Sequence, residues 1–439
     1  MSRKRITVFG AGRVAAPALE YLLRSYQVTL VDADVSALAT QQERFAGADL
    51  VTERSDIGSP AAFAFVAGSA CVLSLLPPGM HVAVARECLR ERVPFVTTSY
   101  ASEEMRSLDR SAVEAGIAIL NECGLDPGID HMLAMRSIDS VHQQGGTIRS
   151  FVSQCGGIPA EPDVNPLGYK VSWSPAGVIS AARQGARYVE DGRIREVPAE
   201  EVFATAHRLN LAEMPELEAF YNRDSVEYAA TYGVLNETRF FARMTLRYPG
   251  WCDTFAALTK LGALRDDVLP ADAVTSAILE VPEGENFPRT AVARRLQLPS
   301  NDPVLDRLEW LGLFSRERLG NSSMTKSEAL VTRMAARLRY DVGEMDRIVL
   351  RHEVQADYPN GRSETETALL LLDGAPGGFS AMARTVGVPA AAAASLLAED
   401  RVRVTGVHIP TVAALYQPIL DILASEQLVP TITTLPKRF

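Results

Sequence analysis

The chain is poor in cysteine. Five stand among 439 residues (Cys71, Cys88, Cys123, Cys155 and Cys252), scattered and odd in number. No pair has the Cys-x-x-Cys spacing of a zinc or redox site, so neither a metal nor a disulfide framework is expected. A reducing, cytoplasmic setting fits that usage. Long apolar runs are missing too: none approaches the roughly 18 residues of a membrane span. The run Ile6-Thr7-Val8-Phe9 meets glycine too soon for a secretory signal. Basic residues are outnumbered, 44 Lys plus Arg against 54 Asp plus Glu, for a net charge of -10. That balance argues against broad binding to nucleic acid or anionic membrane, though not against a local basic pocket. Otherwise usage is ordinary, with 47% hydrophobic and 22% charged residues, and the length asks for two or three domains.

Residues 5–121 alternate short apolar runs with helical patterns. Ile6–Phe9, Val28–Val31, Asp49–Val51, Cys71–Leu76, Phe95–Thr98 and Ile117–Asn121 read as strands, and each gap suits one helix. In the first gap Val14, Ala18, Leu19, Leu22 and Leu23 share one helical face. Such alternation predicts an α/β fold: a doubly wound parallel sheet covered on both faces, with a ligand beyond the carboxyl ends of its strands. The regularity stops at Glu122-Cys123-Gly124-Leu125-Asp126-Pro127-Gly128, which reads as a crossing into a second α/β region. A helix near Ile129 and a strand at Ser150–Cys155 follow. Residues 252–345 read mostly helical. Arg347–Tyr358 and Ser363–Leu372, joined by Pro359-Asn360-Gly361, predict a hairpin. A helix with Ala381, Met382 and Val386 comes next, then the alanine run 390–394. The expected domains are 1–125, completed by 395–439; 126–251 with 341–394; and a helical insertion, 252–340.

Gly10-Ala11-Gly12-Arg13-Val14-Ala15 follows a strand and opens a helix, the context a dinucleotide fingerprint requires. Gly10 permits the tight turn, Gly12 keeps side-chain atoms away from a pyrophosphate, and Ala15 takes the third small position. The helix N-terminus offers free N–H groups to phosphate. Twenty residues after Gly12, Asp32 ends the second strand, placed to accept from an adenosine ribose and to repel a 2′-phosphate. It favours NAD over NADP. Arg13 reads equally as a phosphate contact or as a solvated residue at the helix start.

The fifth and sixth strands end at Thr98-Ser99-Tyr100 and at Asp126, where both face the nicotinamide end of such a cofactor. Ser99, Tyr100 and Asp126 are therefore candidate substrate contacts. Asp126 reads equally as an N-cap for the helix near Ile129, and His131 inside that helix reads as a packed histidine rather than a base. Arg223 and Arg247 are candidate carboxylate forks, with the alternative that they pair with Asp224 or Glu227 at the surface. Cys155 reads as a buried small residue able to line the site.

Three longer motifs add a resemblance: Gly124-Leu125-Asp126-Pro127-Gly128-Ile129-Asp130-His131, Cys155-Gly156-Gly157-Ile158-Pro159-Ala160, and Asn165-Pro166-Leu167-Gly168-Tyr169-Lys170 with Ser172-Trp173-Ser174. Together with Asn222-Arg223-Asp224-Ser225, Thr245-Leu246-Arg247-Tyr248 and Gly377-Gly378-Phe379-Ser380-Ala381-Met382-Ala383, the chain resembles the saccharopine reductases, the saccharopine dehydrogenases of the L-glutamate-forming type. The resemblance implies a Rossmann domain, a second α/β domain carrying substrate and dimer contacts, and a helical insertion. It implies an NAD- or NADP-dependent oxidoreductase acting on the CH–NH bond of a secondary amine, in lysine metabolism. The reaction is interconversion of saccharopine with L-glutamate plus 2-aminoadipate 6-semialdehyde. It places substrate at Ser99, Tyr100, Asp126, Arg223, Thr245, Leu246 and Arg247, with Tyr100, Asp126 and Cys155 nearest the chemistry. Cofactor contacts are implied at Leu76, Thr98, Leu125 and Ser174, beside Gly10, Ala11, Gly12, Arg13, Val14 and Asp32.

Two positions depart from the pattern. Asp32 stands where NADP-using fungal members have a basic or neutral residue, and Pro78 where an aromatic residue is common. A small amino-acid substrate and a homodimer are expected, without nucleic acid or membrane. A carboxynorspermidine-type or other opine-like amine dehydrogenase is the alternative enzyme. A cofactor-sensing nucleic-acid-binding protein, using the helix pair 290–298 and 302–311 with Arg294 and Arg295, is a remote one.

Overall fold

Six strands near the amino end form where the apolar runs lie: β1 (Arg5–Phe9), β2 (Gln27–Asp32), β3 (Leu50–Arg54), β4 (Cys71–Ser74), β5 (Phe95–Thr97) and β6 (Ala118–Leu120). The computed structural model describes residues 3–212, 214–280 and 288–436. All six pair in parallel in the order β6-β5-β4-β1-β2-β3. Helices cover both faces, so these strands are continuous apolar runs rather than alternating ones. The order reverses between β1 and β4, the switch point at which open α/β sheets bind ligands. Helix α1 (Ala15–Leu23) buries Ala18, Leu19, Leu22 and Leu23 of the face read from the sequence, with Val14 half-buried at its cap.

A seventh strand, Gly406–His408, pairs in parallel with β6 and closes that edge. The chain then leaves the first sheet. Thr431–Pro436, expected within the first domain, instead pairs antiparallel with Ser363–Asp373 of the second sheet. The alanine run continues a single helix, Ala381–Ala398, with Pro389 inside it. That helix was expected within the second domain, yet it lies against α1. A Cβ on Gly387 would sit 2.6 Å from the Val14 carbonyl oxygen. At 18 residues and mean hydropathy 1.4 it is long and apolar enough to cross a membrane by composition, closer than the sequence reading allowed. It is largely buried inside the fold, as a core helix is.

The second sheet is mixed and ten-stranded. Its spine runs His207–Leu209, Leu217–Tyr221, Phe240–Arg247, Thr147–Pro159, Asp346–Asp357, Ser363–Asp373 and Thr431–Pro436. The predicted strand at 150–155 is the middle of Thr147–Pro159, and the predicted hairpin is Asp346–Asp357 with Ser363–Asp373. Cys155 lies in register with Thr245 on one side and Leu350 on the other. The region after Trp251 is helical, as read, around a second core that includes Trp251, Phe255, Leu258, Leu305, Leu308 and Leu330. It also holds a short ribbon, Val268–Leu269 with Met324–Thr325. The expected helix pair is present as Pro288–Leu296 and Pro303–Trp310, and both helices pack into this core. Arg295 donates to the Glu280 carboxylate at 2.8 Å, so that side chain is held by the protein.

Candidate active site at the carboxyl edge of the first sheet

Gly10 turns the chain out of β1 at φ +103°, a region that disfavours any Cβ. A Cβ there would also lie 2.9 Å from the Leu75 carbonyl group. Gly12 differs: a Cβ on it would meet nothing within 4 Å. The turn is therefore closed behind and open in front, as a phosphate cradle must be. The Asp32 carboxylate braces it, accepting from the Ala11 N–H at 2.6 Å and the Asp34 N–H at 2.8 Å. Arg13 is exposed at the start of the helix, as one of its two readings had it. It donates to the Val171 carbonyl at 3.0 Å and so ties the turn to the second region. Val14 caps α1 with its backbone. Leu76 is half-buried just past β4, and Leu125 is buried in the core. Thr98 lies under Gly124, and Ser174 is exposed and caps the helix Pro175–Ala182 through the Gly177 N–H.

The crossing after β6 builds the opposite side of the site. Gly128 (φ +148°) packs so tightly on Gly124 that a Cβ would fall 2.0 Å from its carbonyl oxygen. The helix Ile129–Gln143 starts at this glycine, with Asp130 accepting from the Gly128 N–H at 2.6 Å. Asp126 is therefore not the cap. Its Oδ1 accepts from the Tyr100 hydroxyl at 3.2 Å and from the Arg243 guanidinium. Among the described residues nothing donates to Oδ2.

Arg243 was not singled out from the sequence, yet it centres the cluster. It is 3% exposed, joins Asp126 and Asp130 (2.8 Å), and lies 4.3 Å over the Tyr228 ring. Its Nη1 is buried without a partner. The signal was present as one charge inside the apolar strand Phe240-Phe241-Ala242-Arg243-Met244. Burial opposes the charge on Asp126, but Arg243 and then Arg223 outweigh it and hold the carboxyl below the usual range. Burial pushes Asp130 up, as does the Asp126 charge. Behind them Glu122 accepts from His131 at 2.8 Å and from the Tyr228 hydroxyl at 3.2 Å. His131 reaches the Tyr232 hydroxyl at 2.6 Å on its other nitrogen. It is thus a packed histidine, but one wired into the charged cluster.

The two expected carboxylate forks have lost the partners that would have made them surface residues. Asp224 pairs with Arg187 at 2.6 Å, and Glu227 with Arg106. Arg223 lies 4.3 Å over the Tyr100 ring at φ +50°, a strained setting for a non-glycine residue. Glu122 shares that strain at φ +60°. Strained residues of this kind gather at functional sites and cost about 1–3 kcal/mol each. Arg247 is buried over the rings of Tyr169 (4.8 Å) and Trp251 (5.4 Å), with its Nε unpartnered. Neither arginine has a carboxylate partner among the described residues. Thr245 accepts from Asn222 at 2.7 Å, and Leu246 is buried against Gly156. The Cys155 thiol is buried; that burial, with the charges of Asp126 and Asp130, raises it far above its usual value. That favours a neutral thiol at this wall of the site.

Sequence reasoning also missed His81. Its ring contacts Ser74 (2.9 Å) and Ser99 (2.8 Å). Burial pushes its pKa down to about 4. Pro78 lies in the exposed turn that leads to it. All five cysteines are free and buried, and no cluster of three or more His, Cys, Asp or Glu suited to a metal occurs among the described residues.

Comparison with known proteins follows the same division. Residues 6–120 match the saccharopine dehydrogenase NADP binding domain, and 124–428 the saccharopine dehydrogenase C-terminal domain. The saccharopine dehydrogenase [NADP(+), L-glutamate-forming] of Pyricularia oryzae is 34% identical over 441 residues, 96% of each chain. The mitochondrial alpha-aminoadipic semialdehyde synthase of Bos taurus is 34% identical over 97% of this chain. The chain spans about half of that relative's length, 47%. The solved structure of apo saccharopine dehydrogenase (L-Glu forming) from Saccharomyces cerevisiae superposes with a TM-score of 0.87 at 30% identity, covering 98% of this chain and all of that one. The cytoplasmic expectation does not stand, because the bovine, mouse and rat relatives carry mitochondrial names. Five free, buried cysteines do not single out one compartment. With both halves matched in order and the yeast structure superposed along nearly its whole length, the chain belongs to the saccharopine dehydrogenase family of NAD(P)-dependent oxidoreductases.

Proposed function

We propose that this chain interconverts saccharopine with L-glutamate plus 2-aminoadipate 6-semialdehyde. The observation that carries the reading is the pair Arg223 and Arg247, cations without acid partners among the described residues: the charge of Arg223 acts on Asp126, and those of Arg247 and Asp126 both act on Cys155. A tricarboxylate amine supplies what both lack. The open face of Gly12 and the α1 N-terminus suit a dinucleotide, held at Gly10 to Val14 and Asp32. Bound nicotinamide supplies hydride exchange at the carbon of the C–N bond. Arg223 and Arg247 fix substrate carboxylates and so set the position of that carbon. Asp126 stays ionised under Arg243, which makes its Oδ2 an acceptor for a cationic secondary amine rather than a store for its proton. Tyr100, whose phenol burial keeps protonated, donates to Asp126 and stops that carboxylate turning. Cys155 lines the site without charge.

Asp32 favours NAD within this reading, although the fungal relatives are named for NADP(+). We assign 1–125 with Gly406–His408 to cofactor binding, 126–251 with the later hairpin to substrate binding, and 252–340 to the helical insertion. A homodimer is supported by the exposed edge strand Thr431–Pro436, where Ile432 and Leu435 face outward. The test is dinucleotide reduction on adding saccharopine, beside carboxynorspermidine and other secondary amines. Turnover with saccharopine is expected. Turnover with another amine and none with saccharopine would overturn the substrate.

A further inference from the structure

We propose that His81 is a positioning residue that fixes the Ser99 hydroxyl for the substrate. This rests on the functional reading above. Three hydroxyls converge on one imidazole. Ser74 Oγ lies 2.9 Å from Nδ1, Ser99 Oγ 2.8 Å from Nε2, and Thr97 Oγ1 3.1 Å from Nε2. Ser74, His81 and Thr97 are buried; only Ser99 is half-exposed, next to Tyr100 at the carboxyl edge.

The backbone of Ser99 is already fixed on both sides. Its N–H donates to Thr97 Oγ1 at 3.4 Å, and its carbonyl accepts from the Glu122 N–H at 3.1 Å. The hydroxyl rotor is the freedom that remains, and the ring removes it. A neutral imidazole has one N–H and one lone pair, so its two nitrogens take opposite roles toward Ser74 and Ser99, and either tautomer holds the Ser99 oxygen at 2.8 Å. A substrate group then meets a hydroxyl held in one place and does not have to order it on binding. The chain from Ser74 through His81 to Ser99 thus carries order from the sheet interior to the site.

The test is a double-mutant cycle read as KM for the amine and, separately, KM for the dinucleotide. Ser99→Ala and His81→Phe should each raise the amine KM about tenfold, the scale of one hydrogen bond. Combined, they should do no more than Ser99→Ala alone. Multiplicative effects, or an equal rise in the dinucleotide KM, would overturn the proposal. His81→Gln and His81→Asn guard against misfolding. Gln places an amide where Nε2 sits and should recover Ser99 positioning, whereas Asn reaches only the Nδ1 place and should not. Equal losses in both would overturn it. Wild-type protein inert toward saccharopine would instead sink the functional reading, and the cycle would run on the amine that it does turn over.

Discussion

The two sides of the carboxyl edge are built by opposite means. The first sheet offers backbone: a glycine turn, an open Cα at Gly12 and a helix N-terminus, with the Asp32 carboxylate bracing the turn. The second region offers buried side-chain charge: Arg243 between Asp126 and Asp130, and Arg223 and Arg247 held over aromatic rings. Backbone donors carry no ionic charge to desolvate, so the first side is open and simply built. Buried guanidinium groups are costly unless their surroundings compensate them. The second side therefore brings Glu122, His131, Tyr228 and Tyr232 in behind. Tight discrimination among polycarboxylates needs that second kind of wall, and its stability is mortgaged to its own ion pairs.

The sharpest way to break this contrast is Arg243→Ala. It strands two buried carboxylates and should cost about 3–5 kcal/mol, read as a shift of the denaturant midpoint. A shift below about 1 kcal/mol would mean the cluster is not the linchpin of its side. Asp126→Asn comes next. It should lower kcat/KM for the amine about 10- to 100-fold, since a hydrogen bond to a charged group contributes about 1.5–3 kcal/mol, with the dinucleotide KM unchanged. Arg247→Ala should raise the amine KM about tenfold or more, since hydrogen bonds to charged groups contribute about 1.5–3 kcal/mol. An equal rise for dinucleotide would assign the arginine to folding. Asp32→Ala should relax discrimination against NADP about tenfold, read as the ratio of kcat/KM values. An unchanged ratio would leave Asp32 only its brace on the Ala11 N–H.

Acid sharpens the comparison from another side. Burial lowers His81 to about 4 and His352 to about 3. Unfolded, both take up protons below their ordinary value near 6.5. Their neutral burial contributes full stability above about pH 6.5 and loses it as pH falls toward those lowered values. The slope is about 1.4 kcal/mol per pH unit for each histidine. Both ring nitrogens of His352 are unpartnered, and its ring lies 5.2 Å from Phe151. His352→Phe should therefore make the fall of Tm between pH 6.5 and 4 shallower. An unchanged slope would show that His352 does not stay neutral. Asp126, held low, contributes above about pH 4 and loses its share only below that.

The contrast also explains what could be read in advance. Parallel strands buried on both faces and a glycine turn are local patterns, so β1 to β6 and the cofactor side were legible. Arg243 and Asp126 are 117 residues apart, and their pairing leaves no local mark beyond a charge in an apolar strand. Asp126 read equally as a cap because the freedom of Gly128 to start the helix at positive φ was not weighed. Arg223 could not be told from a surface residue until Asp224 and Glu227 were seen bound elsewhere. His81 was passed over because its three hydroxyl partners sit at the end of β4, at the end of β5 and just past it, and only the sheet brings them together.

The late chain threads from one sheet to the other: Gly406–His408 completes the first, and 23 residues on, Thr431 begins the closing edge of the second. Neither half can then be expressed as a tidy fragment. Cutting after residue 125 would bare the β6 edge and strip the alanine helix from α1, leaving an aggregation-prone template. Protein engineers wanting the cofactor half alone would have to graft the 381–408 stretch back by circular permutation.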